Sequence, residues 1–145
     1  METSQVERML FHTKCNLAMQ LSNEDEEKPL RLKHVGDLFY LLHRQSYKNS
    51  DLDGAIAAYA AAVRLTPDGH QCQAELHSQL GLSFLKRFKY FGDVTDIDSA
   101  IFMLEGSVIL TPDGHADEPG FLNNLGNAFL DRFRHSGERT TLSMH

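Results

Sequence analysis

Six consecutive residues of this chain occur twice. Leu65-Thr66-Pro67-Asp68-Gly69-His70 returns as Leu110-Thr111-Pro112-Asp113-Gly114-His115, 45 residues later. Gly36, Gly81 and Gly126 stand on the same 45-residue ladder. An identical hexapeptide at a fixed period marks a repeat array, in which each copy is one supersecondary unit. Proline cannot continue a helix, and Asp-Gly favours a turn. The hexapeptide therefore reads as a joint between copies.

Apolar residues recur at helical spacing throughout. A first helix is expected over 3–21, from Val6, Leu10, Phe11, Leu17, Ala18 and Leu21. The acidic run Asn23-Glu24-Asp25-Glu26-Glu27 reads as a solvated connector or helix start, with docking of a basic partner as the competing reading. A second helix starts near Pro29, a residue suited to a first turn, and runs to about Tyr47. Ser50-Asp51-Leu52-Asp53 resembles a capping box opening an alanine-rich helix to Leu65. The plan then repeats: a long helix over 71–91, a break at Gly92-Asp93, a capping box at Thr95-Asp96-Ile97-Asp98, and a helix to Leu110. The third copy begins at Glu118-Pro119 and is expected to end at Gly137, with a further helix starting at Thr140. Strand alternation and hairpin turns are missing from the sequence. The fold class is all-α: six helices in antiparallel hairpins, in the order B-A-B-A-B-A, where A is the longer first helix of a pair. One array over 1–145 divides into a half-repeat at 1–22, repeats at 29–67 and 71–112, and a truncated copy at 118–145.

The formal net charge is −6, which argues against a general phosphate-backbone binder. Met9-Leu10-Phe11 is broken by His12 and Lys14, so a signal peptide or membrane span is not expected. Cys15 and Cys72 lack CxxC spacing and read as free thiols of a cytoplasmic or nuclear protein.

Phased on the glycines, the copies resemble tetratricopeptide repeats. Leu32, Val35, Gly36 and Phe39 fill the family's helix A pattern in the first copy. His77, Leu80, Gly81 and Phe84 fill it in the second, and Leu122, Leu125, Gly126 and Phe129 in the third. Ala55, Tyr59, Ala62 and Pro67 match helix B, as do Ala100, Leu104, Ser107 and Pro112. The likeness covers about residues 29–140. The period is 45 against about 34 in the family, which implies a longer helix A and a roomier A–B connection. This long variant resembles arrays of large fungal proteins that carry a caspase-like protease or an NTPase domain. Each glycine costs about 1 kcal/mol in a helix interior, and close approach of helix B to helix A is the reason to keep it.

Candidate chemistry is thin. His70 and His115 follow Asp-Gly in a turn, where an imidazole suits the end of a helix dipole, with a repeated ligand site as the other reading. His70, Cys72 and His77 lack a fourth ligand and do not share a face. Cys72 and His77 are off-face for a nucleophile pair, and no GxSxG, HExxH or phosphate loop occurs. No catalytic residue, metal or cofactor is assigned. Lys86, Arg87, Lys89, Arg132 and Arg134 interleave with Phe84, Phe88, Phe129 and Phe133. The phenylalanines are expected in the core and the cations in solvent, rather than as a nucleic-acid surface.

The resemblance implies a groove lined by the A helices, across which a peptide lies. Its positions here are Lys33, Asp37, Tyr40 and Leu41; Ser78, Leu82, Leu85 and Lys86; and Asn123, Asn127, Leu130 and Asp131. Asn127 matches the family's carboxylate-clamp asparagine, but Asp37 and Leu82 break that pattern. The expected function is a non-catalytic scaffold binding a protein or peptide, with no nucleic-acid or membrane partner. The alternative is a part of a larger array whose effector domain lies elsewhere, with head-to-tail self-association as a variant. A small Cys-dependent hydrolase is the enzymatic alternative.

Overall fold

A computed structural model describes residues 3–22 and 24–143. Side chains before Gln5, those of Val6, Glu7, Leu10, Phe11, Lys14 and Cys15, and those after Gly137 lie outside the described set. Readings placed on Val6, Leu10, Phe11, Cys15 and the side chain of Thr140 therefore fall outside it. Six helices make up the chain: α1 (Thr3–Gln20), α2 (Lys28–Ser46), α3 (Asn49–Leu65), α4 (Gln73–Phe91), α5 (Val94–Ile109) and α6 (Glu118–Ser143). No strand occurs among the described residues. The chain divides into two compact units, 1–72 and 73–145. The division falls just after the first copy of the hexapeptide, where α4 begins.

In the first unit, α2 and α3 run in opposite directions. A Cβ on Gly36 would meet Tyr59, one on Gly54 would meet Phe39, and Ser46 bonds Asp51. Leu32, Val35, Leu52, Ala55, Tyr59 and Ala62 close the core between them, with Ala18 of α1 also buried. Alanines at 55 and 62 keep α3 slim, so the Tyr59 ring can lie across Gly36. The second unit repeats this pairing. Gly81 meets Leu104, Gly106 meets His77, and Arg87 binds Asp96. Its core joins Leu85, Phe88, Ile97, Ala100, Ile101, Leu104 and Ala128, with Leu82, Phe84 and Leu125 packed against them. Here α6 runs in the direction of α4: Ser78 pairs with Asn124, Lys89 with Asp131, and Phe88 with His135.

The longer period is absorbed by the helices. Each A–B connection holds only two residues, Tyr47-Lys48 and Gly92-Asp93, so the expected roomier connection is not there. Both A helices end in a left-handed residue, Tyr47 (φ 55) and Gly92 (φ 76). The Tyr47 N–H donates to His43 O at 2.9 Å and the Gly92 N–H to Phe88 O at 2.7 Å, which turns the chain at once.

Two capping boxes and one helix end are corrected. The N-cap of α5 is Asp93, whose side chain accepts from the Thr95 N–H and hydroxyl at 2.9 and 2.8 Å. Those two donors hold the Asp93 carboxyl below its ordinary value. Lys48 occupies the N-cap of α3 and makes no side-chain cap. Ser50 and Thr95 are thus already inside their helices, and the acids after them serve cations instead. Gly137 does not end α6, which continues through Thr140 to Ser143, so the further helix expected at Thr140 does not begin there; the φ of Gly137 is not positive, unlike that of the glycines at turns.

Asp51 is buried at the start of α3 and takes both Arg8 guanidinium nitrogens, at 3.1 and 3.0 Å. Burial pushes its carboxyl up, but Arg8, the Ser46 hydroxyl and the charge of Lys48 outweigh this and hold it below the ordinary range. A carboxylate whose folded-state pKa is depressed stabilises the fold above its unfolded value of about 3.9, and that contribution fades as pH falls through the folded value. Asp51→Asn is therefore expected to flatten the dependence of stability on pH below about pH 4. Urea midpoints by circular dichroism between pH 2.5 and 7 check this, and an unchanged acid limb contradicts it.

Candidate protein-binding surface

The repeated joint is built the same way twice. Thr66 and Thr111 are buried, and their hydroxyls donate to the Ala62 and Ser107 carbonyls, each at 2.6 Å. The His70 and His115 N–H groups each reach back to a proline carbonyl at 3.1 Å. The third residue of each turn, Gly69 or Gly114, has φ near +80 (82 and 80), a conformation that favours glycine. The imidazole Nδ1 of His70 accepts from the Cys72 N–H at 3.1 Å, and that of His115 from the Asp117 N–H at 3.0 Å. These rings thus hold the first amides before the next helix rather than standing over the last carbonyls of the previous one. The Cys72 backbone, not its thiol, takes the His70 nitrogen. Among the described residues no group of three His, Cys, Asp or Glu side chains is placed to hold a metal.

Interleaved arginines and phenylalanines turn out to stack on one another. Arg87 lies over the Phe84 ring at 5.7 Å, and Arg132 over Phe129 at 5.3 Å. Arg87 is not a solvent cation: it grips buried Asp96 at 2.9 and 2.8 Å. The phenylalanines also differ between copies. Phe88 is buried, whereas Phe129 is 39% and Phe133 75% exposed. The core expectation fails for Phe129 and Phe133 because no described helix covers that side of α6.

The proposed groove residues fall into distinct environments. In the first unit, Lys33 and Asp37 form an ion pair at 3.1 Å, and Asp37 also accepts the Tyr59 hydroxyl. Asp37 thus ties α2 to α3. Tyr40 is half-buried and Leu41 exposed. In the second unit Ser78 is 3% exposed, and its hydroxyl oxygen accepts from Asn124 Nδ2 at 3.4 Å. Ser78 is therefore spent on seating α6 against α4. Leu85 is core, Leu82 packs against it, and Lys86 is half-buried. Asp131 pairs with Lys89 at 3.4 Å. Asn123, Asn127 and Leu130 are exposed on one face of α6, the two asparagines one turn apart. Leu130 is thus the apolar neighbour of two exposed amide groups.

Two clefts in the first unit had no sequence signal. One of about 430 Å³ is lined by Leu17, Ala18, Arg31, His34, Val35 and Leu38. The other, of about 230 Å³, is lined by Arg8, His12, Phe39, Leu42, Ser50 and Asp51. They arise where α1 rests on α2 and α3, a juxtaposition that helical periodicity does not specify. No described helix is long and apolar enough to cross a membrane. No protein-family model matches the chain, and no curated protein or solved structure matches it.

Proposed function

We propose that this chain is a non-catalytic binding module, a tetratricopeptide-like repeat that takes a protein or peptide on an A helix of its second unit, α6. The observation that carries the reading is the exposed pair Asn123 and Asn127 beside Leu130 on α6. Side-chain amides offer both donors and acceptors to an extended backbone, and Leu130 supplies an apolar contact. Helix pairs that repeat at a fixed period suit this role, since such repeats present binding surfaces on the exposed faces of their helices. The module works in the cytoplasm or nucleus.

The test is partner retention. Asn123→Ala/Asn127→Ala should fold as the unaltered chain does and lose a partner that co-purifies with it in defined stoichiometry. Removing two backbone-directed amides weakens such binding about tenfold or more. A partner held equally by both proteins removes this reading.

A further inference from the structure

Four positions on each A helix recur at the 45-residue phase, and their surroundings differ in one copy. In α2 these are Leu32, Gly36, Phe39 and His43, all buried except half-buried Phe39. In α4 they are His77, Gly81, Phe84 and Phe88, all buried or half-buried. In α6 they are Leu122 (47%), Gly126, Phe129 (39%) and Phe133 (75%), all exposed. A Cβ on Gly36 or Gly81 would collide at 2.7 Å with Tyr59 or Leu104, whereas one on Gly126 meets nothing within 4 Å among the described residues.

What covers this face is shown twice inside the molecule. Helices α3 and α5 share a pattern: Asp51 and Asp96 in the first turn, Gly54 and Ser99 three residues on, and Ala55 and Ala100 four on. Tyr59 and Leu104 follow eight on and lie over the glycine. Small residues follow at ten and eleven on, Ala61-Ala62 and Gly106-Ser107. Cation placement repeats as well. Arg132 stands one period after Arg87, the residue that binds Asp96. Arg132 lies over Phe129, and the carboxylate it meets is that of exposed Asp98, at 3.6 Å, a contact that exchanges cheaply in water.

We propose that the face of α6 formed by Leu122, Gly126, Phe129 and Phe133 docks one amphipathic helix of a partner polypeptide. That helix runs antiparallel to α6, as α5 does on α4. It carries an acid for Arg132, a small residue three on for Phe129, alanine four on, tyrosine or leucine eight on over Gly126, and small residues at ten and eleven on. The inference rests on the binding-module reading and adds to it a second surface with its own ligand chemistry, separate from Asn123 and Asn127.

The probes exist in the chain itself. Fluorescein-labelled peptides of residues 48–66 and 93–111 are titrated with the full-length protein and followed by anisotropy. Saturable binding of at least one is expected, weakened about tenfold or more by Gly126→Leu, which fills the space of the incoming tyrosine or leucine. Arg132→Glu should weaken it about fivefold, with recovery when the peptide's first-turn aspartate is replaced by lysine. Asn123→Ala/Asn127→Ala should leave peptide binding intact, so failure of the groove reading and failure of this one are told apart. The proposal falls if neither peptide binds. It falls equally if Gly126→Leu binds as well as the unaltered chain, because the peptide is then displacing α3 or α5. It also falls if sedimentation shows a self-association that Gly126→Leu dissolves, because a second copy then occupies the face.

Discussion

Alanine at Gly81 is expected to destabilise the second unit, whereas alanine at Gly126, the same phase one copy later, should stabilise it. The added Cβ at Gly81 would lie 2.7 Å from Leu104 Cγ and 3.2 Å from the Ala100 carbonyl oxygen. Leu104 is fully buried, and a backbone carbonyl has no rotamer to change. Overpacking of this kind costs about 1–3 kcal/mol, sometimes more. The helix-propensity gain of about 1 kcal/mol offsets part of that. Leucine at Gly81 should prevent native packing of α5 on α4 altogether. Gly36→Ala belongs with Gly81→Ala, since its Cβ would sit 2.7 Å from the Tyr59 ring, which is 1% exposed. At Gly126 the propensity gain stands alone, so Gly126→Ala should add roughly 0.5–1 kcal/mol. Urea denaturation of the three variants checks the signs, and equal shifts at all three positions would contradict the close-approach explanation.

Loss of the Asp96 carboxylate should be the second large effect. Asp96 is 6% and Arg87 27% exposed at the side chain, and the two share hydrogen bonds of 2.8 and 2.9 Å. Breaking a buried pair by removing one partner typically costs about 3–5 kcal/mol, because a charge is left without compensation. Arg87 keeps some access to water, so Asp96→Ala should lie nearer about 2–3 kcal/mol. Arg87→Met/Asp96→Ala should recover a good part of that loss, since it leaves no unpaired charge. Arg132→Met, which removes the exposed 3.6 Å contact with Asp98 and the stack on Phe129, should cost less than about 1 kcal/mol. Denaturant midpoints for the four proteins read the contrast. A double variant no more stable than Asp96→Ala would mean that lost packing, rather than the stranded charge, sets the cost.

Much of the fold was legible because helix formation is written locally. Six apolar periods, two Thr-Pro-Asp-Gly joints and the glycine ladder place all six helices, with most ends within one or two residues. The glycine reading survives in detail at Gly36 and Gly81, where partner helices do press on the backbone. Capping was less legible. Ser50-x-x-Asp53 and Thr95-x-x-Asp98 satisfy the pattern, yet Tyr47 and Gly92 bring the chain round early. Lys48 and Asp93 then become the N-caps. Asp51 and Asp96 carried no signal of their own inside those boxes, and distant or preceding arginines claim them. Gly137 carried a stop signal that nothing nearby completes, and α6 runs on.

The candidate surface was legible only as a set of phases. Periodicity puts Asp37, Leu82 and Asn127 in register, and likewise Lys33, Ser78 and Asn123, but not in equivalent surroundings. Asp37 is taken by Tyr59 and Lys33, Ser78 by Asn124, and Asn127 faces solvent. Helix type, repeat length and the joint follow from the sequence alone, because backbone preferences and apolar period act over a few residues. Which repeated side chains are spent on packing, and which remain open to a partner, depends on whether another helix lies against them. Only the tertiary structure decides that, and it decides it differently at Gly81 and at Gly126.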